Sequence, residues 1–275
     1  MQIAAPLIML RIKMADLLPN SETSHREASE LTGNSAEGEM SFLEHLGELR
    51  TRLIYSLLAI ICGAFLSYFF AGEIFSFLAA PYYKAFEGKI LIGTGPAEAF
   101  ILKLKMALIG GCVLASPAIF YHVWKFVSPG MLESEKRFAV PFVVATTALF
   151  LAGLWFCYGV VLPFAFSFFY SQYSSIGIEP TVKISEHISF IGKALLAFAA
   201  IFELPVVSYF LARCGILSPS AMTSSFRYVV VAIFTVSAVL TPPDVLTQLL
   251  MALPLFVLYG ISIVVVRFAY NKRQR

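Results

Sequence analysis

The chain has 275 residues, of which 59% are hydrophobic and 13% are charged, and its formal net charge is +3. Globular proteins average about a quarter charged residues, so this composition excludes an ordinary water-soluble domain. The small net charge gives no reason to expect nucleic-acid binding, and none is predicted.

Residues 1–40 differ in composition from the remainder of the chain. The stretch 20–38 is rich in Ser, Glu, Asn and Gly, which predicts a disordered N-terminal extension over residues 1–40. The apolar start at residues 3–10 is followed by basic residues rather than preceded by them, so it does not resemble a secretory signal. Three methionines are candidate translation starts: Met1, Met14 and Met40.

From Ser41 the chain has the spacing of an amphipathic helix. Apolar residues recur at steps of three and four, at Phe42, Leu46, Leu49 and Leu53. This spacing predicts an interfacial helix that continues into the first membrane span, with Ser41 as its N-cap.

Six long apolar runs follow, at about residues 53–71, 104–124, 139–170, 190–212, 228–240 and 246–266. An α-helix rises 1.5 Å per residue, so about 20 residues cross the roughly 30 Å hydrocarbon core of a bilayer. The fifth run is shorter, a mismatch that local thinning of the bilayer can relieve. The runs predict an all-α membrane protein with six transmembrane helices over residues 41–268, followed by a basic tail at 269–275.

The placement of basic residues predicts the orientation. With both termini in the cytoplasm, 14 Lys and Arg residues lie on the cytoplasmic side and 3 lie clearly in the opposite loops. Cytoplasmic loops carry the excess of Lys and Arg, so cytoplasmic N and C termini are expected.

Two connections between spans carry turn signals. The loop at residues 71–99 has an aromatic-rich amphipathic half and a Gly-rich half. It predicts a helix on the outer surface, interrupted at Pro81, and so a cap over the outer face. The adjacent Pro242 and Pro243 predict a tight hairpin between the last two spans, with Asp244 at the start of the final helix.

Glu203 lies inside the fourth apolar run. An ionisable group at bilayer depth costs about 2.5–3.5 kcal/mol on insertion scales, so one that is kept usually faces protein or water and takes part in function. The following Pro205 predicts a distorted helix with a freed backbone carbonyl. The alternative is a protonated glutamic acid that is satisfied inside the bundle.

No metal site, disulfide or cofactor is predicted. The four cysteines are scattered singly, without CxxC spacing, and are read as free thiols packed as small hydrophobes. The histidines have no spaced partner for a metal or a catalytic triad.

Six strings occur in order between residues 41 and 268: SFLEHLGELRTRL, FLAAPYYKAF, PAEAFILKLKMAL, SPAIFYHVWKFVSPGMLESEKR, FELPV and LTPPDVLTQLLMALPL. Together they resemble the TatC family, the polytopic component of the twin-arginine protein translocase. The resemblance implies a concave six-helix bundle in the bacterial cytoplasmic membrane. It also implies a receptor for twin-arginine signal peptides of folded precursors, in an oligomeric complex with single-span TatA/TatB-type proteins, driven by the proton motive force.

For signal-peptide binding the resemblance implies Glu48, Glu135, Arg50, Arg52, Phe126 and Pro117. A carboxylate matches the guanidinium fork bidentately, which a lysine ammonium does not reproduce, so the two glutamates are the expected contacts. A surface salt bridge to Arg52 is the alternative for Glu48, and a solvated loop charge is the alternative for Glu135.

The other four residues have structural alternatives as well. Arg50 and Arg52 either orient the carboxylates or enforce the topology. Phe126 and Pro117 either line an apolar wall for the hydrophobic part of the signal peptide or serve as an interface anchor and a helix kink.

Glu203 and Gln248 are the implied polar contacts for a partner's transmembrane helix, and a helix-pair contact within one chain is the alternative for Gln248. Pro81, Lys105 and Asp244 are implied outer-face positions, structural or functional. Snorkelling to the interface explains Lys105 equally well, and an N-cap explains Asp244.

Two other function classes compete with a receptor subunit. A proton-coupled small-solute transporter would use Glu203 as its titrating group, but the spans show no obvious inverted repeat and no second central carboxylate. An intramembrane enzyme would need a nucleophile and a base, and no GxSxG or HExxH string occurs. No enzymatic activity is therefore predicted.

Overall fold

The computed structural model describes the backbone of residues 21–86, 89–128, 139–240 and 245–274, and the side chains of 44–86, 89–128, 139–239 and 245–271. The chain divides into two compact units, residues 1–51 and 52–275. The predicted sites Glu135, Pro242, Pro243 and Asp244 lie outside the described residues.

The described residues are almost entirely helical. Their helices are α1 Ser21–Tyr68, α2 Ala71–Ala85, α3 Glu98–Val127, α4 Ala139–Phe156, α5 Leu162–Ser175, α6 Ile184–Ile201, α7 Leu204–Arg213, α8 Pro219–Ser224, α9 Phe226–Leu240 and α10 Val245–Gln274. A π-helical turn, Cys157–Val161, joins α4 to α5 without a break. Pro163 follows this turn, and a proline has no N–H with which to continue the α-helical hydrogen bonds.

Five helical stretches of the described chain are long and apolar enough to cross a membrane: Glu44–Tyr68, Glu98–Val127, Ala139–Ser175, Ile184–Arg213 and Val245–Asn271. The shorter apolar helix Phe226–Val239 corresponds to the short fifth run. The prediction of six membrane helices in an all-α protein is thus confirmed. The cytoplasmic location of the termini stays a prediction.

The first helix begins earlier than the sequence pattern predicts. It is continuous from Ser21, so Ser41 lies inside the helix and is not its N-cap, which corrects that assignment. The division of the chain into an extension at 1–40, a membrane domain at 41–268 and a tail at 269–275 stays a prediction.

The second correction concerns Pro81, which does not interrupt its helix. α2 runs through Pro81 to Ala85. Proline cannot donate to the carbonyl four residues earlier, which is that of Phe77, and the Tyr158 hydroxyl donates to this carbonyl instead, at 2.9 Å. The substitute donor explains why the helix continues.

Glycines allow two pairs of helices to approach closely. A Cβ added at Gly63 of α1 would lie 2.8 Å from the Gly111 carbonyl oxygen of α3. A Cβ added at Gly153 of α4 would lie 2.8 Å from the Phe198 carbonyl oxygen of α6 and 2.9 Å from the Ala199 Cα. These distances leave no room for a side chain, as is typical of helix interfaces inside membranes.

The main core lies where α2, the π-helical turn, α5 and α6 meet. Its fully buried side chains include Tyr82, Cys157, Leu162 and Phe198. A smaller cluster around Met222, Tyr259 and Val266 joins α8 to α10, where the Tyr259 hydroxyl donates to the Met222 carbonyl at 2.7 Å. Large apolar side chains remain exposed along the spans, as expected for surfaces that face lipid.

Candidate functional site

The fourth span is broken at Phe202 and Glu203, between α6 and α7. Glu203 N donates to the Ala200 carbonyl at 3.2 Å, a tighter turn than the α-helix, and Pro205 lies in the first turn of α7. The distortion predicted from Pro205 is therefore present. It interrupts the span at Glu203, so that this carboxylate sits at the junction of two helices.

The Glu203 side chain is inside the protein. It is 9% exposed, its Oε1 has no hydrogen-bond partner among the described residues, and it does not cap α7. A buried acceptor without a partner is costly, by about 1–3 kcal/mol. The alternative was a protonated glutamic acid whose hydrogen bonds are satisfied inside the bundle, and neither the contacts of Oε1 nor a capping hydrogen bond supports it. The carboxyl group can therefore accept a hydrogen bond from another molecule.

Gly153 determines how close α4 comes to this junction. Its missing side chain allows α4 to contact Phe198, Ala199 and the Cβ of Phe202, directly before Glu203. The closeness of α4 is part of what buries the junction.

Gln248 makes a helix-pair contact within the chain, which was the alternative to contact with a partner's transmembrane helix. Its Nε2 donates to the Phe234 carbonyl at 3.0 Å, across the hairpin of α9 and α10. This amide donor is used within the chain and holds the short fifth span against the sixth.

The residues expected to bind the signal peptide are distributed over both units of the chain. Glu48, half-buried, and Arg50, exposed, lie on the part of α1 that belongs to the first unit. Arg52, Pro117 and Phe126 belong to the second unit. Glu135 is outside the described residues, so its geometry relative to the others stays a prediction.

Pro117 lies on an exposed face of α3, and the helix continues through it. The carbonyl that the proline leaves free is that of Val113, and the Ser116 hydroxyl donates to it at 2.8 Å. Phe126 is half-buried near the end of α3.

An aromatic triad that the sequence pattern did not predict joins α3, α4 and α7 near that end. The ring centroids of Trp124 and Phe142 are 4.6 Å apart, those of Phe142 and Phe210 are 4.6 Å apart, and those of Trp124 and Phe210 are 5.2 Å apart. Aromatic pairs at such distances add about 0.5–1.5 kcal/mol each to the burial of their surface. The triad therefore fixes the ends of three spans where Phe126 lies.

At the opposite end, which we call the cap end (residues 69–86, 89–98 and 175–187), Glu98 is a second residue that the sequence pattern missed. Its Oε2 accepts hydrogen bonds from the N–H groups of Thr94 and Gly95, and its Oε1 accepts one from Ser185 N at 3.2 Å. One carboxylate thus ties the loop before α3 to the start of α6. The string PAEAF contains this residue, but its spacing gives no hint of a partner 87 positions later.

Lys105 is also held at this end. Its Nζ donates to the Ser189 hydroxyl at 2.8 Å, and that hydroxyl donates to the Ser185 carbonyl at 2.6 Å. The half-buried ammonium is therefore bonded to α6 rather than extended along the interface. Its observed contacts are structural.

The two loops of the cap end pair with each other. Ile92 N donates to the Val182 carbonyl and Ile184 N donates to the Ile92 carbonyl, each at 3.0 Å, which forms an isolated parallel bridge. The Lys89 ammonium contacts Glu179 at 2.9 Å, and its hydrogen bond and charge lower the pKa of that carboxyl. Within the described part of the chain, no group of three or more His, Cys, Asp or Glu side chains could hold a metal ion.

Comparison with known proteins adds independent information. Residues 44–254 match the protein family described as Sec-independent protein translocase protein (TatC). A protein named Sec-independent protein translocase protein TatC from Desulforapulum autotrophicum is 43% identical over 87% of this chain and 89% of its own length. Proteins of the same name from Aquifex aeolicus and Escherichia coli are 36% and 34% identical, each over 86% of this chain, and over 98% and 92% of their own lengths.

A crystal structure described as the twin-arginine translocase receptor TatC has the same fold. It superposes with a TM-score of 0.75 at 37% sequence identity, over 82% of this chain and 99% of that chain. A second crystal structure of that receptor, in the detergent DDM, gives a TM-score of 0.74.

Proposed function

The chain belongs to the TatC family, and from this premise we propose that it is the signal-peptide receptor and core subunit of a twin-arginine translocase in the bacterial cytoplasmic membrane. In this role it exports folded proteins with energy from the proton motive force and performs no bond chemistry itself. The observation that carries the proposal is the match to TatC sequences and to the TatC receptor fold over more than four-fifths of the chain.

We assign recognition of the signal peptide to Glu48 and Glu135. The ligand carries paired arginines, and carboxylates bind guanidinium groups with two parallel hydrogen bonds. Glu48 is supported by its place on α1, two residues before Arg50 and four residues before Arg52. Arg50 and Arg52 can orient the carboxylates.

The apolar part of the signal peptide follows its arginines and needs an apolar surface. Phe126 and Pro117 are assigned to that surface, since both belong to α3 and Pro117 is exposed. The aromatic triad near Phe126 keeps this end of α3 in place against α4 and α7.

We assign Glu203 to the binding of a single-span partner of the TatA/TatB type. A carboxylate oxygen inside the protein that receives no hydrogen bond from the described residues favours a polar group supplied by another chain. Gln248 is a weaker candidate for the same role, because its amide already donates to Phe234.

Photo-crosslinking of a purified twin-arginine precursor to membranes that contain this protein tests the receptor assignment. We expect Glu48→Gln and Glu135→Gln to reduce crosslinking about 10-fold or more, as removal of one partner from a charged pair costs roughly 1.5–3 kcal/mol. Glu44→Gln, an exposed carboxylate one helical turn from Glu48, is the matched control. A twin-lysine precursor should fail with the wild-type protein. Equal crosslinking by all variants and both precursors would refute the assignment of these glutamates.

Co-purification of single-span partners tests the role of Glu203. We expect Glu203→Ala to lower partner recovery while precursor crosslinking is kept. Ser208→Ala, a buried polar residue on the same broken span, is the control and should retain both. Unchanged partner recovery with Glu203→Ala would remove Glu203 from the partner interface.

A further inference from the structure

A cavity of about 490 Å³ lies at the cap end between α2, α5 and the start of α6. Its volume is within the range of small-ligand sites, about 300–1,000 Å³. Seven Phe and Tyr side chains form most of its wall: Tyr82, Phe86, Phe166, Phe168, Phe169, Tyr173 and Phe190. The cavity takes no part in the proposed binding of signal peptides or single-span partners.

The side chains with polar groups that line this cavity are Tyr82, Gln172, Tyr173, Glu186 and His187. Among the described residues that line it, Glu186 carries the single formal charge. Tyr82 and His187, with ring centroids 4.8 Å apart, are 1% and 3% exposed. The Tyr82 hydroxyl and His187 Nε2 have no hydrogen-bond partner among the described residues. Both atoms can accept a hydrogen bond from a donor at the inner end of the cavity.

These features favour a cation over an anion. The faces of aromatic rings attract cations, and an ammonium group among several rings is stabilised further by a carboxylate at the rim. A phosphate or carboxylate at the same place would meet Glu186 without a compensating positive charge in the lining. A neutral apolar molecule would leave Tyr82 and His187 unsatisfied.

A positive group stands immediately outside the cavity. Lys183 Nζ lies 3.6 Å from Glu186 Oε1, and both side chains are exposed. An ammonium inside the cavity and a phosphate beside Lys183 would therefore each meet a complementary charge. This arrangement matches a zwitterion whose positive end is buried and whose negative end is near solvent.

The depth of the cavity indicates where such a zwitterion is found. The lining residues Phe166 to Tyr173 span about 10 Å along α5, at 1.5 Å per residue, and α5 ends at Ser175. The cavity thus extends from the end of a membrane-spanning helix into the apolar region below it. We propose that it binds a zwitterionic phospholipid, with the primary ammonium of the headgroup in the aromatic cavity, the phosphate at Lys183 and the acyl chains along the spans.

The test uses the purified full-length chain in detergent with two lipids that have the same acyl chains. Phosphatidylethanolamine carries the ammonium, and phosphatidylglycerol does not. Native mass spectrometry of protein mixed with equal amounts of both lipids gives the ratio of the two bound forms. We expect the wild type to retain mainly phosphatidylethanolamine.

Two variants identify the cavity as the site. Glu186→Gln should lower the lipid ratio about three-fold, whereas Glu73→Gln, an exposed carboxylate at the other end of α2, should leave it unchanged. Tyr173→Leu removes one ring from the wall and should lower retention of phosphatidylethanolamine, with Tyr228→Leu on α9 as the control. Melting temperatures of all four variants establish that they remain folded.

Three outcomes would overturn the proposal. Equal retention of the two lipids by the wild type would show that the headgroup is not recognised. Loss of preference in Glu73→Gln as well as Glu186→Gln would place the effect in general surface charge. Unchanged preference in both Glu186→Gln and Tyr173→Leu would place lipid binding at another surface.

Discussion

Replacement of Glu203 by methionine should stabilise the isolated chain. The carboxylate is buried and its Oε1 has no partner among the described residues, so its removal relieves a desolvation cost. The side chain makes no capping hydrogen bond to α7, and the change therefore sacrifices none. A relief of about 1–3 kcal/mol corresponds to an increase of about 2–10 °C in melting temperature for a domain of this size. Methionine fills a similar volume and adapts to irregular packing.

The change in melting temperature can be measured in detergent by the labelling of one buried thiol, Cys157, as the chain unfolds. Cys157 is inaccessible in the folded chain, and the other three cysteines can be replaced by alanine so that only unfolding allows labelling. Glu203→Gln is the matched control: it keeps buried polar atoms and should change the melting temperature by less than about 2 °C. A melting temperature lowered by Glu203→Met would refute the reasoning, because it would mean that the carboxylate stabilises the isolated chain.

Three further predictions use the same chain. Tyr158→Phe should lower the free energy of unfolding by about 0.5–1.5 kcal/mol. In a Pro81→Ala background this loss should vanish, because the new N–H of residue 81 donates to the Phe77 carbonyl. An undiminished loss there would show that the hydroxyl does not replace the missing backbone donor. Gly153→Ala should lower the free energy of unfolding by about 1–3 kcal/mol, because the added Cβ would clash with backbone atoms of α6. Gly260→Ala should not lower it, because no atom lies within 4 Å of the added Cβ. The lowered pKa of Glu179 means that its ion pair is intact above the ordinary carboxyl pKa and is lost as the pH falls through the folded-state value. Hydrogen exchange of residues 89–93, corrected for intrinsic rates, should therefore rise on acidification, and a Glu179→Gln variant should lack this pH dependence.

Hydrophobic run length was sufficient to predict the membrane spans. Each span needs a stretch of apolar residues long enough to cross the bilayer, and this requirement is local in sequence. The predicted run at 104–124 lies inside Glu98–Val127, and the run at 190–212 lies inside Ile184–Arg213. Helix ends were harder to predict, because polar residues such as Glu98 can begin a helix when distant groups satisfy their side chains.

The contacts of individual polar residues could not be predicted in the same way. Lys105 bonds to Ser189, and Gln248 bonds to Phe234, so each partner comes from another helix. Sequence spacing identified these residues as polar groups in apolar surroundings but left their alternatives open. For Glu203 the sequence was more informative, because Pro205 two positions later specifies a local break.

Three prolines of this chain, Pro81, Pro117 and Pro205, have different consequences for their helices, and a replacement donor is recorded where the helix continues. At Pro81 and Pro117 the freed carbonyl receives a hydroxyl, from Tyr158 in one case and from the adjacent Ser116 in the other, and both helices continue. At Pro205 the helix ends in a tighter turn and a new helix begins. Since a membrane supplies no water to satisfy backbone groups, the hydroxyls that replace the lost donors allow α2 and α3 to continue past their prolines. The break and the buried carboxylate at Glu203 are therefore one feature: the interruption that Pro205 imposes is what places an acidic side chain at a helix junction inside the bundle.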